Sequence, residues 1–307
     1  PQREPEPEQI LEPEPEPEPE PAASGFLYDL GCGGSHRIRE LAPADAGGLS
    51  GAPSEPGSRE RCYKERAQDD ITGLSVWASA VMLGRWAAEN GSELVGKDCL
   101  ELGAGTGLSG LAVAAAMATA TENGQPPPRG DGAGSLHLTD FAAKTMENLR
   151  FNLGANCERA EGGEPTLPEE EGGEERWVGP GGCALSLSRM DWDDDATWPR
   201  GTGAASKPAA AADNGGQPER QFDVVLGADL LYTRSYARKV ASVATRLLKP
   251  GGLLVLTTPR ARGGYGERNC QVCSCCLCAV LSVCCHVNVR VALFSRLLAG
   301  RHVSVHW

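Results

Sequence analysis

One glycine-rich turn has the residue types needed to bind a charged small molecule. The stretch Glu101–Gly107 reads Glu-Leu-Gly-Ala-Gly-Thr-Gly and joins a short apolar strand, Asp98–Leu102, to an apolar helix that starts at Leu108. Glycine lets a backbone approach a ligand closely and adopt conformations closed to other residues. The following helix offers free amide groups and the positive end of its dipole. The alternative is a tight strand–helix turn without a ligand.

Two kinds of ligand fit such a turn. Gly105, Gly107 and Gly110 also satisfy the G-x-G-x-x-G pattern of dinucleotide-binding folds, and Asp140, after the next predicted strand, could hold ribose hydroxyls in either case. Glu101 separates the two, because dinucleotide fingerprints normally carry an apolar residue at that point. An acid there suits a ligand with a cationic amino-acid end. We therefore expect S-adenosyl-L-methionine as the cofactor.

A second glycine-rich stretch lies upstream, at residues 29–34. It reads Asp-Leu-Gly-Cys-Gly-Gly, but Ser-His-Arg-Ile-Arg follows it where an apolar helix would be needed. We interpret it as a loop.

The elements that must position these residues alternate between strands and helices. Because the strands are continuous apolar runs, the pattern predicts an α/β fold with a parallel sheet covered on both faces. The predicted helices are Ser75–Asn90, Leu108–Ala120, Ala142–Leu153 and Ser235–Leu248, and the predicted strands are Asp98–Leu102, Ser135–Thr139, Cys183–Met190, Phe222–Ala228 and Leu253–Thr257.

Composition divides the chain into four parts. Residues 1–21 are a Pro/Glu repeat predicted to be disordered, and residues 22–69 are weakly patterned. Residues 70–267 form the predicted domain, and residues 268–307 form an atypical Cys-rich tail. We expect insertions near 121–134, 157–182 and 196–220, the second of them an acidic surface loop.

The net charge of −12 comes from two short acidic segments. Residues 1–21 hold eight Glu and one Arg, residues 158–176 hold eight Glu and two Arg, and the rest of the chain carries +1. A basic nucleic-acid-binding surface is therefore not supported. There is no uncharged apolar run of about 18 residues, so we expect no membrane span.

Cysteine usage indicates a reducing compartment. Seven of the twelve cysteines lie between Cys270 and Cys285, and the other five are scattered singly, as buried thiols are. We expect a cytoplasmic protein, with the nucleus as the alternative, and a monomer. A first residue of Pro1 predicts a fragment or a processed chain.

An ordered set of motifs spans about residues 70–260. The motifs are Gly73…Trp77, Glu101–Gly110, Leu138–Asp140, Asn148–Asn152, Asp191-Trp192 and Gly227–Tyr232. This set resembles the seven-β-strand S-adenosylmethionine-dependent methyltransferases. Within them it is similar to the lysine methyltransferase-like group (methyltransferase family 16), whose members modify lysines on non-histone proteins. The resemblance implies a Rossmann-like seven-stranded sheet.

The resemblance implies a cofactor role for nine residues. Gly103, Ala104 and Gly105 would pass the methionine moiety with Glu101 close by, and Asp140 would accept hydrogen bonds from the ribose. The others would surround the cofactor: Trp77 from the preceding helix, Trp192 beside the adenine with Asp191 near its amino group, and Ala228 on the other side. Alternatively, Trp77 is a core residue and Asp191-Trp192 a solvent-facing loop.

Asp229 and Tyr232 are the candidate catalytic residues. They follow the carboxyl end of a buried strand, where ligands bind in open α/β sheets. An acid and a phenol three residues apart can face one amine: the carboxylate orients a lysine ammonium, and the aromatic wall favours its neutral form. The alternative makes Asp229 a turn residue and Tyr232 a core residue.

The resemblance ends near Glu267. The Cys270–His286 stretch lacks a second, separated C-x-x-C pair, so we expect no metal there. The family implies a helix and a final antiparallel strand pair, so the sheet is expected to be incomplete at this edge unless Val287–Leu293 and Val303–Val305 form a hairpin. Alternative splicing or a mistaken gene model would explain this tail.

The sequence thus predicts an S-adenosylmethionine-dependent N-methyltransferase that acts on a lysine of a non-histone protein. Two alternatives share its cofactor residues. One is a catalytically inactive protein-interaction module, and the other is a small-molecule N-methyltransferase.

Overall fold

A computed structural model describes residues 25–41, 72–124, 134–160, 174–201, 219–231, 233–258, 290–294 and 304–306. The predictions for the Pro/Glu repeat, for Tyr232 and for the Cys270–His286 cluster lie outside these residues. So do segments 125–133, 161–173 and 202–218 of the three predicted insertions.

The described strands and helices follow the predicted alternation. The helices are α1 (Ala78–Leu94), α2 (Leu108–Glu122), α3 (Ala143–Asn156) and α4 (Arg234–Leu247). The strands are β1 (Phe26–Asp29), β2 (Ser35–Ile38), β3 (Asp98–Leu102), β4 (Ser135–Asp140), β5 (Glu158–Arg159), β6 (Glu175–Val178), β7 (Ala184–Arg189), β8 (Phe222–Ala228), β9 (Leu248–Thr257), β10 (Arg290–Phe294) and β11 (Ser304–His306). Each predicted helix and strand is confirmed, with boundaries shifted by a few residues.

One mixed sheet contains nine of the described strands. Its order is β11-β10-β9-β8-β3-β4-β7-β6-β5, and the strands from β10 to β7 run parallel. At one edge β6 and β5 are antiparallel, and at the other β11 is antiparallel to β10. This arrangement confirms the α/β, Rossmann-like prediction.

Both faces of the parallel strands are covered. Along β3, Cys99 packs into a core shared with α1, α2 and α3, which we call the main core. Leu100 and Leu102 pack into a second core shared with α4. Residues adjacent in a strand point to opposite faces. Burial on both faces is therefore the reason that these strands read as unbroken apolar runs.

Helix α2, which follows the glycine turn, is the most enclosed of the described helices. All residues from Leu108 to Ala118 are buried. Helix α1 packs closely against it through glycines: a Cβ added to Gly91 would lie 2.6 Å from the carbonyl oxygen of Ala116. This contact fixes the helix whose N-terminus continues from the glycine turn.

The prediction of a surface loop over residues 157–182 is wrong for the two parts that the structure describes, 157–160 and 174–182. Strands β5 and β6 lie within it, and Trp177 of β6 is buried in the main core. Its acidic neighbour Glu175 is also buried, because Arg150 of α3 and Arg159 of β5 both donate to its carboxylate. Pairing offsets the desolvation of the charge and allows an acidic segment to form an inner strand.

Residues 30–34 connect β1 to β2 and Asp29 ends β1, so the interpretation of residues 29–34 as a loop is confirmed apart from that first residue. The hairpin itself, within the weakly patterned segment 22–69, was not predicted. It packs on the domain through Cys32 and Ile38, which are buried in the main core.

The structure also tests the predictions for the tail, for the cysteines and for a membrane span. Strand β10 pairs with β9 and with β11, so the predicted hairpin at this sheet edge is confirmed. The described cysteines Cys32, Cys99, Cys157 and Cys183 are free thiols. Among the described helices, none has the length and apolar character to cross a membrane.

Candidate active site

A cleft opens at the carboxyl ends of the central strands. Strand β3 is flanked by β4 on one side and by β8 on the other, so the chain reverses its direction of winding at this point. Open α/β sheets bind ligands at such a reversal. The cleft has a volume of about 980 Å³ including its open mouth. Its lining includes Thr72, Gly73, Trp77, Gly103, Gly105, Asp140, Asp191, Trp192, Ala228, Asp229, Tyr236 and Lys239.

The glycine turn forms the floor of the cleft. Gly103 and Gly105 have φ values of 60° and 57°, in the left-handed region that favours glycine. A Cβ added to Gly103 would lie 2.7 Å from Cδ2 of Leu230, so a side chain there would also be crowded. Ala104 is buried and donates its amide to the carbonyl oxygen of Thr139, and it does not line the cleft.

Asp140 connects this turn to β4. Its Oδ2 accepts a hydrogen bond of 3.0 Å from the amide of Gly105, and its Oδ1 accepts one of 2.7 Å from the amide of Phe141. A carboxylate accepts hydrogen bonds through both oxygens, and these bonds fix its orientation beside Gly105. The backbone thus holds an acceptor in place beside the glycine floor.

Aromatic side chains line the cleft on two elements. The indole of Trp77 is 46% exposed and donates from Nε1 to the carbonyl oxygen of Thr72 at 2.7 Å, so Trp77 is not a core residue. Trp192 is partly buried and makes an edge-to-face contact with Tyr236, with ring centroids 6.2 Å apart. Trp192 therefore belongs to the cleft and not to a solvent-facing loop.

Asp191 holds the loop that carries Trp192. Its amide donates to Oγ1 of Thr197 at 2.8 Å, and its Oδ1 accepts from the amide of Asp193 at 2.9 Å. On the opposite side of the cleft, Ala228 ends β8. Both residues line the cleft.

Glu101 lies behind the glycine turn and outside the cleft lining. Its carboxylate is buried under the start of α2, where the hydroxyl of Ser109 donates to Oε1. Its Oε2 makes no hydrogen bond of ordinary geometry. Burial raises the pKa of Glu101 to about 7. Gly110 leaves room for this carboxylate, since an added Cβ would lie 2.5 Å from Oε2.

Asp229 occupies a strained position at the end of β8. It is buried, lines the cleft, and has a φ of 62°, the left-handed conformation that non-glycine residues rarely adopt. Its amide donates to the carbonyl oxygen of Thr257 at 2.8 Å. Such strain costs about 1–3 kcal/mol and clusters at functional sites. Tyr232, its predicted partner, lies outside the described residues.

Sequence reasoning missed the contributions of Thr72, Phe141, Tyr236 and Lys239 to the cleft. Lys239 pairs with Asp193, with Nζ 2.5 Å from Oδ2, and its Nζ lies 5.5 Å from the ring centroid of Tyr236. These residues lie on three different elements, and no local pattern marked them.

Comparison with known proteins supports the resemblance. The sequence model of the lysine methyltransferase family matches residues 61–161, a stretch that holds Trp77, the glycine turn and Asp140. The resemblance to the lysine methyltransferase-like group is confirmed. Asp229 lies beyond the matched residues.

Individual relatives carry related names. Protein-lysine N-methyltransferase EEF2KMT is 30% identical over 161 residues in Mus musculus, covering 52% of this chain and 35% of the relative. In Bos taurus it is 29% identical over 181 residues, covering 57% and 42%. Putative protein N-methyltransferase FAM86B2 of Homo sapiens is 48% identical over 42 residues, covering 14% and 13%. The chain therefore spans less than half the length of these relatives.

Proposed function

We propose that this protein is an S-adenosyl-L-methionine-dependent N-methyltransferase that modifies a lysine side chain on a non-histone protein. The observation that carries the proposal is the place of Asp229. This strained, buried acid lines the same cleft as the glycine floor and Asp140, in a chain with a lysine methyltransferase-family region.

The residues of the cleft fit the proposed cofactor. Asp140 provides a fixed acceptor for ribose hydroxyls, and the glycines at 103 and 105 leave the backbone open to close approach. Trp77 and Trp192 offer apolar faces for the flat adenine and the methionine chain. When bound, S-adenosyl-L-methionine would supply an electrophilic methyl group. Glu101 would act from behind the turn, by holding Ser109 at the start of α2.

Asp229 would bind and orient the substrate amine. A lysine ammonium that enters the cleft meets this carboxylate, whose backbone is tied to β9 through Thr257. The amine must give up a proton to solvent before its nitrogen can bond to the methyl carbon. As that bond formed, the carbon–sulfur bond of the cofactor would break and S-adenosylhomocysteine would be the leaving group. Tyr232 would complete the site by excluding water from the neutral amine. The protein's contribution is positioning, which can lower the activation free energy by several kcal/mol.

Calorimetry and a methyl-transfer assay test the proposal together. We expect purified protein to bind S-adenosylhomocysteine and to transfer tritiated methyl groups to proteins of a cell lysate. Asp229→Ala should lose transfer by at least about 100-fold, because orientation is lost, and should retain most of the S-adenosylhomocysteine binding. Asp140→Asn, as the matched variant, should weaken binding instead.

Other outcomes separate the alternatives. Absence of S-adenosylhomocysteine binding would contradict the proposal. Binding without transfer to proteins would favour an interaction module or a small-molecule N-methyltransferase, and a substrate screen would distinguish these. A missing sheet edge beyond β9 would have favoured the interaction module. Strands β10 and β11 occupy that edge.

The partner and compartment follow from the same proposal. The substrate would be a protein, with no role for nucleic acid or membrane, and the protein would act as a monomer in the cytoplasm or the nucleus.

A further inference from the structure

One wall of the cleft is a segment with little regular structure of its own. Thr72, Gly73 and Trp77 line the cleft. Within the described residues 72–77, which lead into helix α1, the regular structure is a single 3₁₀ turn, Thr72–Leu74. We call residues 72–77 the cleft wall. A segment of this kind needs contacts from elsewhere to hold one conformation.

Two of these contacts come from the residues just after β2. The amide of Leu41 donates to the carbonyl oxygen of Leu74 at 3.0 Å. The amide of Val76 donates to Oε2 of Glu40 at 2.7 Å. The second bond is made directly before Trp77, so it fixes the backbone from which the indole at the cleft extends.

Glu40 is itself held at its other oxygen. The hydroxyl of Tyr28, on β1, donates to Oε1 of Glu40 at 2.5 Å. The carboxylate therefore bridges the hairpin and the cleft wall. A bridge in which both oxygens are bonded has less freedom than a single contact, so the position of Val76 follows the position of the hairpin.

The hairpin is a firm support because a ladder of asparagines ties it to α3. Asn156 bonds both the amide and the carbonyl oxygen of Arg37, at 2.8 and 2.7 Å, and Asn152 bonds the same two groups of Arg39, at 2.8 and 3.2 Å. Four residues of helix rise about 6.0 Å and two residues of strand about 6.6 Å, so the two repeats match. The same helix packs Thr145 against Gly73 of the cleft wall.

We propose that Glu40 is a positioning residue for the cofactor cleft: by holding the amide of Val76 to the hairpin, it keeps Trp77 and the cleft wall in the binding conformation. The inference rests on the proposed function for the identity of the ligand. The bridge from Tyr28 through Glu40 to Val76, which we call the clamp, is present without any ligand.

Four proteins with the whole 307-residue chain test this role: the wild type, Glu40→Ala, Glu40→Gln and Asn156→Ala. Calorimetry with S-adenosylhomocysteine should show a Kd about tenfold higher for Glu40→Ala, equivalent to about 1.4 kcal/mol, the size of one hydrogen bond to a charged group. Glu40→Gln should stay within about threefold of the wild type, since its amide oxygen can still accept from Val76. Asn156→Ala removes both bonds to Arg37 but leaves the two bonds of Asn152 to Arg39, the residue next to Glu40. It should therefore lower the Tm without changing Kd.

Hydrogen exchange gives a readout that needs no ligand. Amides of residues 72–77 should exchange faster in Glu40→Ala than in the wild type, and at the wild-type rate in Asn156→Ala.

The possible results separate cleanly. An unchanged Kd in Glu40→Ala, or an equal rise in Asn156→Ala, would overturn the positioning role, because hairpin stability alone would then explain the data. If the wild type binds no S-adenosylhomocysteine, the proposed function fails. The exchange rates of residues 72–77 then test the role of Glu40 by themselves. Faster exchange in Glu40→Ala but not in Asn156→Ala supports it, and equal rates in Glu40→Ala and the wild type reject it.

Discussion

Replacing Glu101 with glutamine should change how the free energy of unfolding depends on pH. In the folded protein this carboxyl lies under the start of α2, and burial raises its pKa from the ordinary 4.5 to about 7. Between these two values the folded state holds a proton that the unfolded state lacks. The contribution of Glu101 to the free energy of unfolding is therefore fully present below pH 4.5 and is lost as the pH rises through 7.

The size of the effect follows from the two pKa values. Each pH unit between them is worth about 1.4 kcal/mol, so the wild type should lose about 3 kcal/mol from this group between pH 4.5 and pH 7. Glutamine carries no titratable proton in either state. The stability of Glu101→Gln relative to the wild type should therefore rise by about 3 kcal/mol over that range.

The comparison must be made with the wild type at each pH, because His137 acts in the opposite direction. Burial lowers the pKa of His137 from the ordinary 6.5 to about 3. Because the unfolded chain then binds a proton that the folded state does not, the contribution of His137 to the free energy of unfolding falls as the pH drops below 6.5. Between pH 4.5 and 6.5 the two groups offset each other. The wild type alone can therefore show a flat profile although both groups titrate.

Urea unfolding at half-unit steps from pH 4 to pH 8 measures the effect. The fixed cost of placing an amide nitrogen at the position of Oε2 is the same at every pH and does not change the slope. A stability difference that stays constant across the range would refute the reasoning. It would mean that Glu101 titrates alike in the folded and unfolded chains.

Four further predictions use the same unfolding measurements. His137→Gln should gain about 3 kcal/mol relative to the wild type between pH 6.5 and pH 4.5, and a falling difference would contradict the burial argument. Gly110→Ala should lose about 1–3 kcal/mol, because the added Cβ would lie 2.4 Å from Cδ2 of Leu138. Gly154→Ala, on α3 with no atom within 4 Å of the added Cβ, should gain up to about 1 kcal/mol, and equal effects of the two alanines would count against this packing. Asp229→Ala should be about 1–2 kcal/mol less stable than Asp229→Asn, since asparagine tolerates a φ of 62°; equal stabilities would show that the strain is absent.

Features that depend on neighbouring residues could be predicted from the sequence. The glycine turn between β3 and α2 needs only a strand, glycines and a helix in succession, and the parallel sheet follows from strands that are apolar throughout. Asp140 and Asp229 were also predictable as cleft residues, because both follow the carboxyl ends of parallel strands.

Features that depend on distant partners could not be predicted. Glu175 belongs to a Glu-rich segment, yet Arg150 and Arg159 neutralise it within the sheet. Hairpin β1–β2 has a weak pattern, and its edge is bound by asparagines more than 110 residues away. Glu101 was expected beside the ligand, but whether a side chain in β3 points to the cleft or under α2 depends on how that helix packs.

The sequence by itself determined the order of the elements and the place of the turn, because the hydrophobic pattern and glycine conformations act over a few residues. Only the tertiary structure decided which charges are buried, where Glu101 points and how the hairpin reaches the cleft wall. Those outcomes depend on the desolvation and pairing of groups that the chain brings together from far apart, and no local pattern encodes such pairs.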